Sequence, residues 1–275
     1  MAGNVLSLRR RSADDPMKEL VLLDENLRAA MQFFAGATGT GDVQHFDSSL
    51  AIHSGLDYGV FNIAMLTQAV KPGARGLEAQ IADCAAYYGS RSSRWSFWLC
   101  DQFLDSKTRR QTRHIFHRAD LREISRAPAM ISTGLPAPEK KLPAIQCLSV
   151  SDAFARRTFG ELTSVCFDIP LGISQSVYAP ERAWKGDYQG YLGMVGGKPV
   201  SIVATVLFAG VIGIYSLGTL PEFRKRGYGE ALLRAAVAKC PPGLPIVLES
   251  TEAGYHLYRR LAFRDIGSFT VYLTN

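Results

Sequence analysis

Residues 217–233 read LGTLPEFRKRGYGEALL, and this stretch decides how the C-terminal half of the chain folds. The apolar run over 211–220 predicts a strand. Residues 227–239 predict a helix, which the prolines at 241–242 end. Strand and helix are therefore joined by a short basic turn with two glycines, residues 224–229.

This turn has the chemistry of a phosphate-binding loop. Its two glycines remove the Cβ atoms that would keep a ligand from the backbone, and the first helical turn presents unpaired N–H groups. Arg224, Lys225 and Arg226 add positive charge that a diphosphate would neutralise. A strand-to-helix turn with solvated arginines remains the alternative. A Rossmann loop is excluded because Leu232 stands where Gly or Ala is needed, and a Walker loop because Gly-Lys-Ser/Thr does not occur.

Two ordered signatures carry a family resemblance. Residues 217–233 resemble the acetyl-CoA motif of the GNAT acetyltransferase superfamily, whose core is Arg/Gln-x-x-Gly-x-Gly/Ala. Residues 257–263, LYRRLAF, resemble the second signature, Leu-Tyr-x-x-Leu-Gly-Phe, with Ala262 replacing the usual glycine. The resemblance covers residues 145–275. It implies an α/β fold with a GNAT-like mixed sheet flanked by helices, and an N-acetyltransferase in which a primary amine attacks the acetyl-CoA thioester directly.

The resemblance also implies a cofactor site. Backbone N–H groups from Lys225 to Glu230 are expected to hold the CoA pyrophosphate. The preceding strand is expected to pair with the pantetheine arm, and an N–H near Leu217 or Gly218 to stabilise the oxyanion. The cofactor-binding set is Leu217, Gly218, Thr219, Arg224, Lys225, Arg226, Gly227, Tyr228, Gly229 and Glu230.

Two catalytic residues are expected in the same half. Tyr258 occupies the position where the family commonly places a tyrosine that protonates the departing thiolate, and a phenol of pKa about 10 can do so. Its alternative role is that of a half-buried helix residue. Glu249, at a strand end, is the candidate general base, although an exposed strand-end carboxylate or deprotonation of the amine in solution would also fit.

The chain divides into four predicted segments. Residues 1–16 are predicted to be a mobile tail, 17–133 an N-terminal α/β module, 134–143 a proline-rich linker, and 144–275 the acetyltransferase domain. The order of elements in the first module is loosely similar to that of the second. We therefore expect a tandem of two GNAT-like modules with one active site, because no Arg-x-x-Gly-x-Gly occurs in the first. The first module is expected to shape the acceptor cleft or to support a homodimer.

Hydrophobic periodicity locates the elements. The predicted helices are 17–34, 76–88, an amphipathic helix from 107, 152–166, 227–239 and 253–261. The predicted strands are 50–53, 59–66, 95–99, 124–131, 145–148, 188–195, 200–208, 211–220, 246–249 and 269–273. Helix 152–166 is expected to turn four residues inward, Phe154, Phe159, Leu162 and Val165, and a loop is expected after it.

Composition limits the functional classes. Of 275 residues, 47% are hydrophobic and 20% charged, which predicts a folded globular protein. A net charge of +6 suits an anionic partner such as a phosphorylated cofactor. The basic stretch 107–126 lacks the interleaved aromatic residues of a nucleic-acid surface, so nucleic acid is not the expected partner. The expected acceptor is a small-molecule amine or a protein amine.

Metal, disulfide and membrane roles are not predicted. Five cysteines are widely spaced without a CxxC pair, which favours neither disulfides nor zinc and suits the cytoplasm. His114 and His117 have metal-compatible spacing without an evident third ligand, so surface histidines are expected. No apolar run is long enough to span a bilayer. The alternative function is a non-catalytic module that senses acyl-CoA.

Overall fold

Residues 15–70 and 76–275 are described by the structure, which is a computed structural model. The predicted tail lies outside these residues except for its last two. Asp15 caps the first helix, its carboxylate accepting from the Met17 N–H at 3.1 Å, and Pro16 is the first helical residue. None of the described helices combines the length and apolar character needed to cross a membrane.

The N-terminal half contains three α-helices and five strands among the described residues. In chain order they are α1 Pro16–Met31, β1 Asp42–His45, β2 Ser49–His53, β3 Ile63–Leu66, α2 Leu77–Gly89, β4 Ser96–Cys100, α3 Ser106–Arg118 and β5 Leu121–Ser132. Residues 133–145 form no helix or strand. They include residues 134–143, whose role as a linker between domains stays a prediction.

The C-terminal half contains four helices and six strands. They are β6 Gln146–Ser149, α4 Ala153–Phe167, α5 Leu171–Tyr178, β7 Tyr188–Val195, β8 Lys198–Phe208, β9 Val211–Thr219, α6 Tyr228–Val237, β10 Ile246–Glu249, α7 Glu252–Arg260 and β11 Arg264–Thr274. Side chains cap two of these helices: Asp152 accepts from the Ala155 N–H at 2.8 Å, and Thr251 from the Gly254 N–H at 3.2 Å.

All described strands join one mixed sheet, in the order β1-β2-β3-β4-β11-β5-β10-β9-β8-β7-β6. The pairs β3–β4 and β9–β10 are parallel, and the other pairs are antiparallel. The two halves interleave: β11 lies between β4 and β5, and β5 lies between β11 and β10. The predicted fold class, a mixed sheet flanked by helices, is confirmed. The tandem of two modules stays a prediction. Strands of the two halves are interleaved in one sheet, so the strand order does not separate two modules.

Helix α1 of the N-terminal half is fixed to the C-terminal half through Asn26. The Asn26 amide donates to the carbonyl oxygens of Val206 at 3.0 Å and Phe208 at 3.1 Å. The Tyr215 hydroxyl donates to the Asn26 Oδ1 at 2.7 Å. A Cβ at Gly213 would lie only 1.9 Å from that oxygen, so glycine is required there. This buried network positions the last turns of α1 beside β9.

Several sequence predictions are wrong in detail. Residues 59–66 are not one strand, because Gly59–Phe61 form a 3-10 turn in which a Cβ at Gly59 would lie 2.5 Å from the Leu273 side chain. The predicted loop after 166 contains α5, which begins after Pro170 and is fixed to α4 by the Ser174 hydroxyl donating to the Gly160 carbonyl at 2.7 Å. The apolar run over 59–66 therefore did not reveal the 3-10 turn, and Pro170 did not reveal the helix that follows it.

Helix α4 also faces the core differently from the prediction. Phe159 and Leu162 are buried as expected, but Phe154 and Val165 are more than half exposed. Phe154 and Phe159 are five residues apart, so their side chains point about 140° apart around the helix axis. The two therefore do not face the core together. Near the C-terminal end, Cys166 instead of Val165 packs on β9, within 3.0 Å of where a Cβ at Gly218 would lie.

Candidate active site

The site begins where the parallel strands β9 and β10 separate. They pair only at Ile246 with Ile212 and at Val247 with Gly213. Beyond these pairs β9 continues beside β8, and β10 continues beside β5 as far as Glu249. The two strands therefore diverge, and a wedge opens between residues 214–219 and the end of β10.

A bulge lies in β9 on the wall of this wedge. Ile202 of β8 faces Gly218, but Ala204, two residues further, faces Tyr215, so β9 carries one extra residue. Ser216 takes a left-handed conformation with φ of +51° at this point. A bulge leaves backbone groups of the extra residue outside the ladder. The segment where the sequence predicts pantetheine and oxyanion contacts thus departs from regular pairing.

The basic turn connects the open end of β9 to α6. Arg224 Nε donates to the Thr219 carbonyl at 2.9 Å, which fixes the start of the turn. Lys225 and Gly227 have φ of +60° and +86°, and Gly227 is the N-cap of α6 without a side-chain cap. The first N–H groups of a helix have no intrahelical partners. This helix end therefore has the free donors and the positive dipole end that bind a phosphate.

A groove of about 670 Å³ runs from the turn along β9 to α7. It is lined by nine of the ten predicted cofactor residues, namely Leu217, Gly218, Thr219, Arg224, Lys225, Gly227, Tyr228, Gly229 and Glu230, and by Tyr258. The tenth, Arg226, lies outside the groove, with its guanidinium 5.7 Å from the centre of the Phe223 ring. We call this space the groove.

A second cavity of about 500 Å³ adjoins the turn on its other side. Six cationic residues line it, and two come from the segment between the halves: Lys140, Lys141, Lys225, Arg226, Arg234 and Arg260. Arg234 fixes the segment to α6 by donating to the Pro136 carbonyl at 2.6 Å, and it also pairs with Glu230 at 2.8 Å. This ion pair neutralises the Glu230 carboxylate, which lies in the first turn of α6. We call this space the basic cavity.

A third cavity, of about 400 Å³, lies between the two halves of the chain. Aromatic rings dominate its wall: Phe34, Tyr58, Phe61, Trp98, Phe167, Tyr178, Tyr188, Tyr215 and Tyr258. It shares Phe167, Leu217, Thr251 and Tyr258 with the groove. We call it the aromatic cavity. The groove and the aromatic cavity therefore meet at the β9 bulge and α7.

Glu249 supplies the only charged side chain among the described residues that line the aromatic cavity. Its Oε1 is buried and has no hydrogen-bond partner in the part of the chain that the structure describes. Burial, with a smaller effect of the nearby Asp24 carboxylate, raises the pKa of this carboxyl group to about 8. The side chain is thus neither a freely exposed strand-end carboxylate nor part of an ion pair, and near neutral pH it can take up or release a proton.

Tyr258 lies on α7, where the groove and the aromatic cavity meet. Only 8% of the residue is exposed, and its ring packs edge-on against Phe263, with 5.6 Å between centroids. Burial, followed by the negative charge of Glu249, raises the pKa of the phenol well above its ordinary value. The hydroxyl is therefore protonated at neutral pH, as a proton donor requires, and the raised pKa makes it a weaker acid than a free phenol.

Comparison with known proteins identifies the part of the chain that carries the groove. Residues 144–263 match the model of the acetyltransferase (GNAT) family. These residues form a GNAT acetyltransferase domain. Among curated proteins, comparison finds no match.

Solved structures resemble the chain across both halves. A GCN5-related N-acetyltransferase from Kribbella flavida has a TM-score of 0.65 at 17% identity, covering 91% of this chain and 95% of that one. A functionally unknown conserved protein from Staphylococcus epidermidis has a TM-score of 0.60 at 14% identity, covering 85% and 94%. A GCN5-related N-acetyltransferase from Sphaerobacter thermophilus has a TM-score of 0.54 at 16% identity, covering 95% and 94%. This likeness shows the fold alone.

Outside the GNAT domain, sequence reasoning missed part of the site. Phe34, Phe61 and Trp98 of the N-terminal half line the aromatic cavity, but their apolar side chains carry no sequence signal that distinguishes them from core residues. The charges of Lys140 and Lys141 were visible in the predicted linker but gave no sign of their place beside the basic turn. His114 and His117 are exposed on α3, far along the chain from the groove.

Proposed function

We propose that this chain transfers an acetyl group from acetyl-CoA to a primary amine in the wedge between β9 and β10. The observation that carries the proposal is the meeting of the groove and the aromatic cavity at Leu217 and Tyr258. A thioester that enters along the groove and an amine held in the aromatic cavity would come together there. Such positioning supplies much of the rate enhancement of an acyl transfer. The family match supports acyl transfer from an acyl-CoA.

In this proposal the groove binds the donor. The backbone N–H groups of residues 225–230 hold the pyrophosphate at the start of α6, and Arg224 and Lys225 add positive charge. The pantetheine arm lies along the free edge of β9 and pairs with the backbone of Leu217 and Thr219. A backbone N–H near Leu217 or Gly218, beside the bulge, donates to the oxygen that becomes negative during the reaction.

The chemistry follows from two side chains. Glu249 accepts one proton from the substrate ammonium, and the neutral amine then attacks the thioester carbonyl and forms a C–N bond. The tetrahedral intermediate loses a second nitrogen proton to solvent as its C–S bond breaks. Tyr258 gives its proton to the departing thiolate and regains one from solvent. Glu249 then releases the proton it accepted to solvent. The products are an N-acetylated amine, CoA and one proton, and both side chains return to their starting forms.

Binding of the cofactor is tested with a matched pair of variants at Gly229. A Cβ at this position would lie 3.1 Å from the Thr219 hydroxyl, in the groove. Gly229→Glu adds a carboxylate next to the proposed pyrophosphate, whereas Gly229→Gln adds the same bulk without charge. We expect acetyl-CoA affinity, measured by calorimetry, to fall about 100-fold more in the Glu than in the Gln variant.

Equal losses in the two Gly229 variants would contradict a phosphate at this helix end, and no binding by the unaltered protein would refute the proposal. Binding without transfer to any amine would favour the alternative, a non-catalytic acyl-CoA sensor. The cytoplasmic location and the homodimer stay predictions.

The basic cavity gives a second test, because we propose that its cationic side chains receive the 3′-phosphate of CoA. Lys140→Ala combined with Lys141→Ala is expected to weaken CoA binding about 10-fold, since charge-assisted contacts to a phosphate are lost. Dephospho-CoA, which lacks that phosphate, should bind both proteins almost equally. Lys107→Ala combined with Arg110→Ala removes the same charge from the exposed surface of α3 and serves as the control. A loss that is equal for CoA and dephospho-CoA would place the phosphate elsewhere.

A further inference from the structure

The aromatic cavity restricts the chemistry of the acceptor. We infer that the acceptor is a compact monoamine with an aromatic or bulky apolar body and no other charged group. The inference rests on the proposed function, since it takes the aromatic cavity as the acceptor site. It is carried by the charges, the surface and the size of this cavity.

The charges exclude several classes of amine. Glu249 is the only charged side chain on the described wall of the cavity, so it can balance one ammonium group. A polyamine or aminoglycoside would bring further ammonium groups into a low-dielectric space without carboxylates to receive them. A free amino acid would bring its α-carboxylate, which no described cation on the wall can pair. The cavity therefore accommodates an acceptor that carries one positive charge.

Glu249 also offers an unpaired carboxylate oxygen to this ammonium group. Its Oε1 has no hydrogen-bond partner among the described residues, although buried polar atoms are usually paired. An ammonium group donates up to three hydrogen bonds. The Tyr215 and Tyr258 rings line the cavity beside it, and the faces of aromatic rings also attract a cation. The amine end of the acceptor is thus placed next to the phenol that protonates the thiolate.

The remainder of the wall is mainly aromatic and aliphatic, and eight of its residues come from the N-terminal half. Helix α1 contributes Ala30 and Met31, and the 3-10 helix Gln32–Gly36 that follows it contributes Phe34. The segment before β3 contributes Val60 and Phe61, and β4 contributes Trp98. The rings of Phe34 and Phe61 lie 4.7 Å apart, and both residues are almost fully buried. The Asn26 contacts hold α1, and with it Ala30 and Met31, against β8 and β9. Residues of both halves therefore contact the body of the acceptor.

The volume favours a small molecule over a protein lysine. The cavity of about 400 Å³ lies at the small end of the range for ligand sites. Four aromatic residues from four separate segments, Phe34, Trp98, Tyr178 and Tyr188, line it, and a space of this volume fits a small molecule better than a length of polypeptide. A ring with a short aminoalkyl chain fills such a space and buries its apolar surface.

The test uses pairs of acceptors that differ in one charged group. Phenethylamine is compared with phenylalanine, which adds a carboxylate, and hexylamine with 1,6-diaminohexane, which adds an ammonium. We expect kcat/KM to be at least about 100-fold higher for phenethylamine than for phenylalanine, and at least about 10-fold higher for hexylamine than for the diamine. Spermidine and a lysine-containing peptide complete the panel.

A variant pair at Val60 links the preference to this cavity. Val60→Lys puts a second charge on its wall, and Val60→Met adds similar length without charge. We expect the Lys variant to lose at least about 10-fold in kcat/KM for phenethylamine relative to the Met variant, with acetyl-CoA affinity unchanged in both. Unchanged affinity also shows that both variants are folded.

The outcomes separate the inference from the proposed function. Acetylation of spermidine, phenylalanine or the peptide in preference to the monoamines would overturn the inference and leave the acetyltransferase proposal standing. Acetyl-CoA binding without transfer to any monoamine would also overturn it. Absence of acetyl-CoA binding would instead overturn the proposed function.

Discussion

Tyr258→Phe is expected to lower kcat at least about 100-fold, with little change in acetyl-CoA affinity. The substitution removes one hydroxyl group at the point where the groove and the aromatic cavity meet, and a positioned proton donor contributes 10²-fold or more to such a reaction. Burial keeps the phenol protonated, so its donor role should not fail within the neutral pH range. Steady-state kinetics gives kcat, and calorimetry gives the affinity.

Tyr255→Phe is the matched control for this experiment. Tyr255 lies on the same helix, α7, but its hydroxyl donates to the exposed Asp265 carboxylate at 2.9 Å and does not line the groove. Its loss should leave kcat within about twofold. If Tyr258→Phe retained most of kcat while Tyr255→Phe behaved the same way, the thiolate would have to leave unprotonated or take its proton from water.

The phosphate loop could be predicted from sequence because its determinants are local. Two glycines, three adjacent cations and the start of a helix lie within six residues, and each acts on the backbone next to it. The structure gives Gly227 the positive φ that favours glycine and leaves α6 without a side-chain cap. Their roles in binding stay predictions that the calorimetric experiment tests.

The strand order could not be predicted because it depends on pairing between distant segments. The last strand, β11, pairs with β4 through Phe269 and Cys100, residues 169 positions apart, and with β5 on its other edge. The hydrophobic pattern of β11 indicates a strand but carries no information about its neighbours. The interleaving of the halves therefore became visible only in the structure.

The residues that line the aromatic cavity could not be predicted from the sequence either, for a different reason. Phe34, Phe61 and Trp98 are apolar residues in apolar runs, and the sequence favours a core role for such residues. They are core residues in part, but one side of each faces the aromatic cavity. Whether an apolar residue lines a core or a cavity depends on the packing of several elements at once. Only the cofactor side of the site carries a motif.

Glu249→Gln should lower kcat/KM about 100-fold and remove one pH-dependent step from the rate profile. A base works in its deprotonated form, so a carboxyl group with pKa of about 8 predicts that kcat/KM rises as pH rises through 8. Glutamine keeps the shape of the side chain but cannot take the proton. Profiles of kcat/KM for both proteins between pH 6 and pH 10 are the measurement.

The acceptor amine titrates as well, and its contribution has to be separated from that of Glu249. A fluorinated amine that is already neutral at pH 7 needs no base before attack, so Glu249→Gln should impair its acetylation much less than that of phenethylamine. Asp24 is the other buried carboxyl group nearby, with a pKa raised to about 6 by burial and ion-paired to Arg28 at 2.8 Å. Asp24→Asn should retain the pH-dependent rise in kcat/KM but shift it to slightly lower pH, because Asp24 raises the pKa of Glu249. A step that persisted near pH 8 in Glu249→Gln would assign the proton transfer to another group or to solvent.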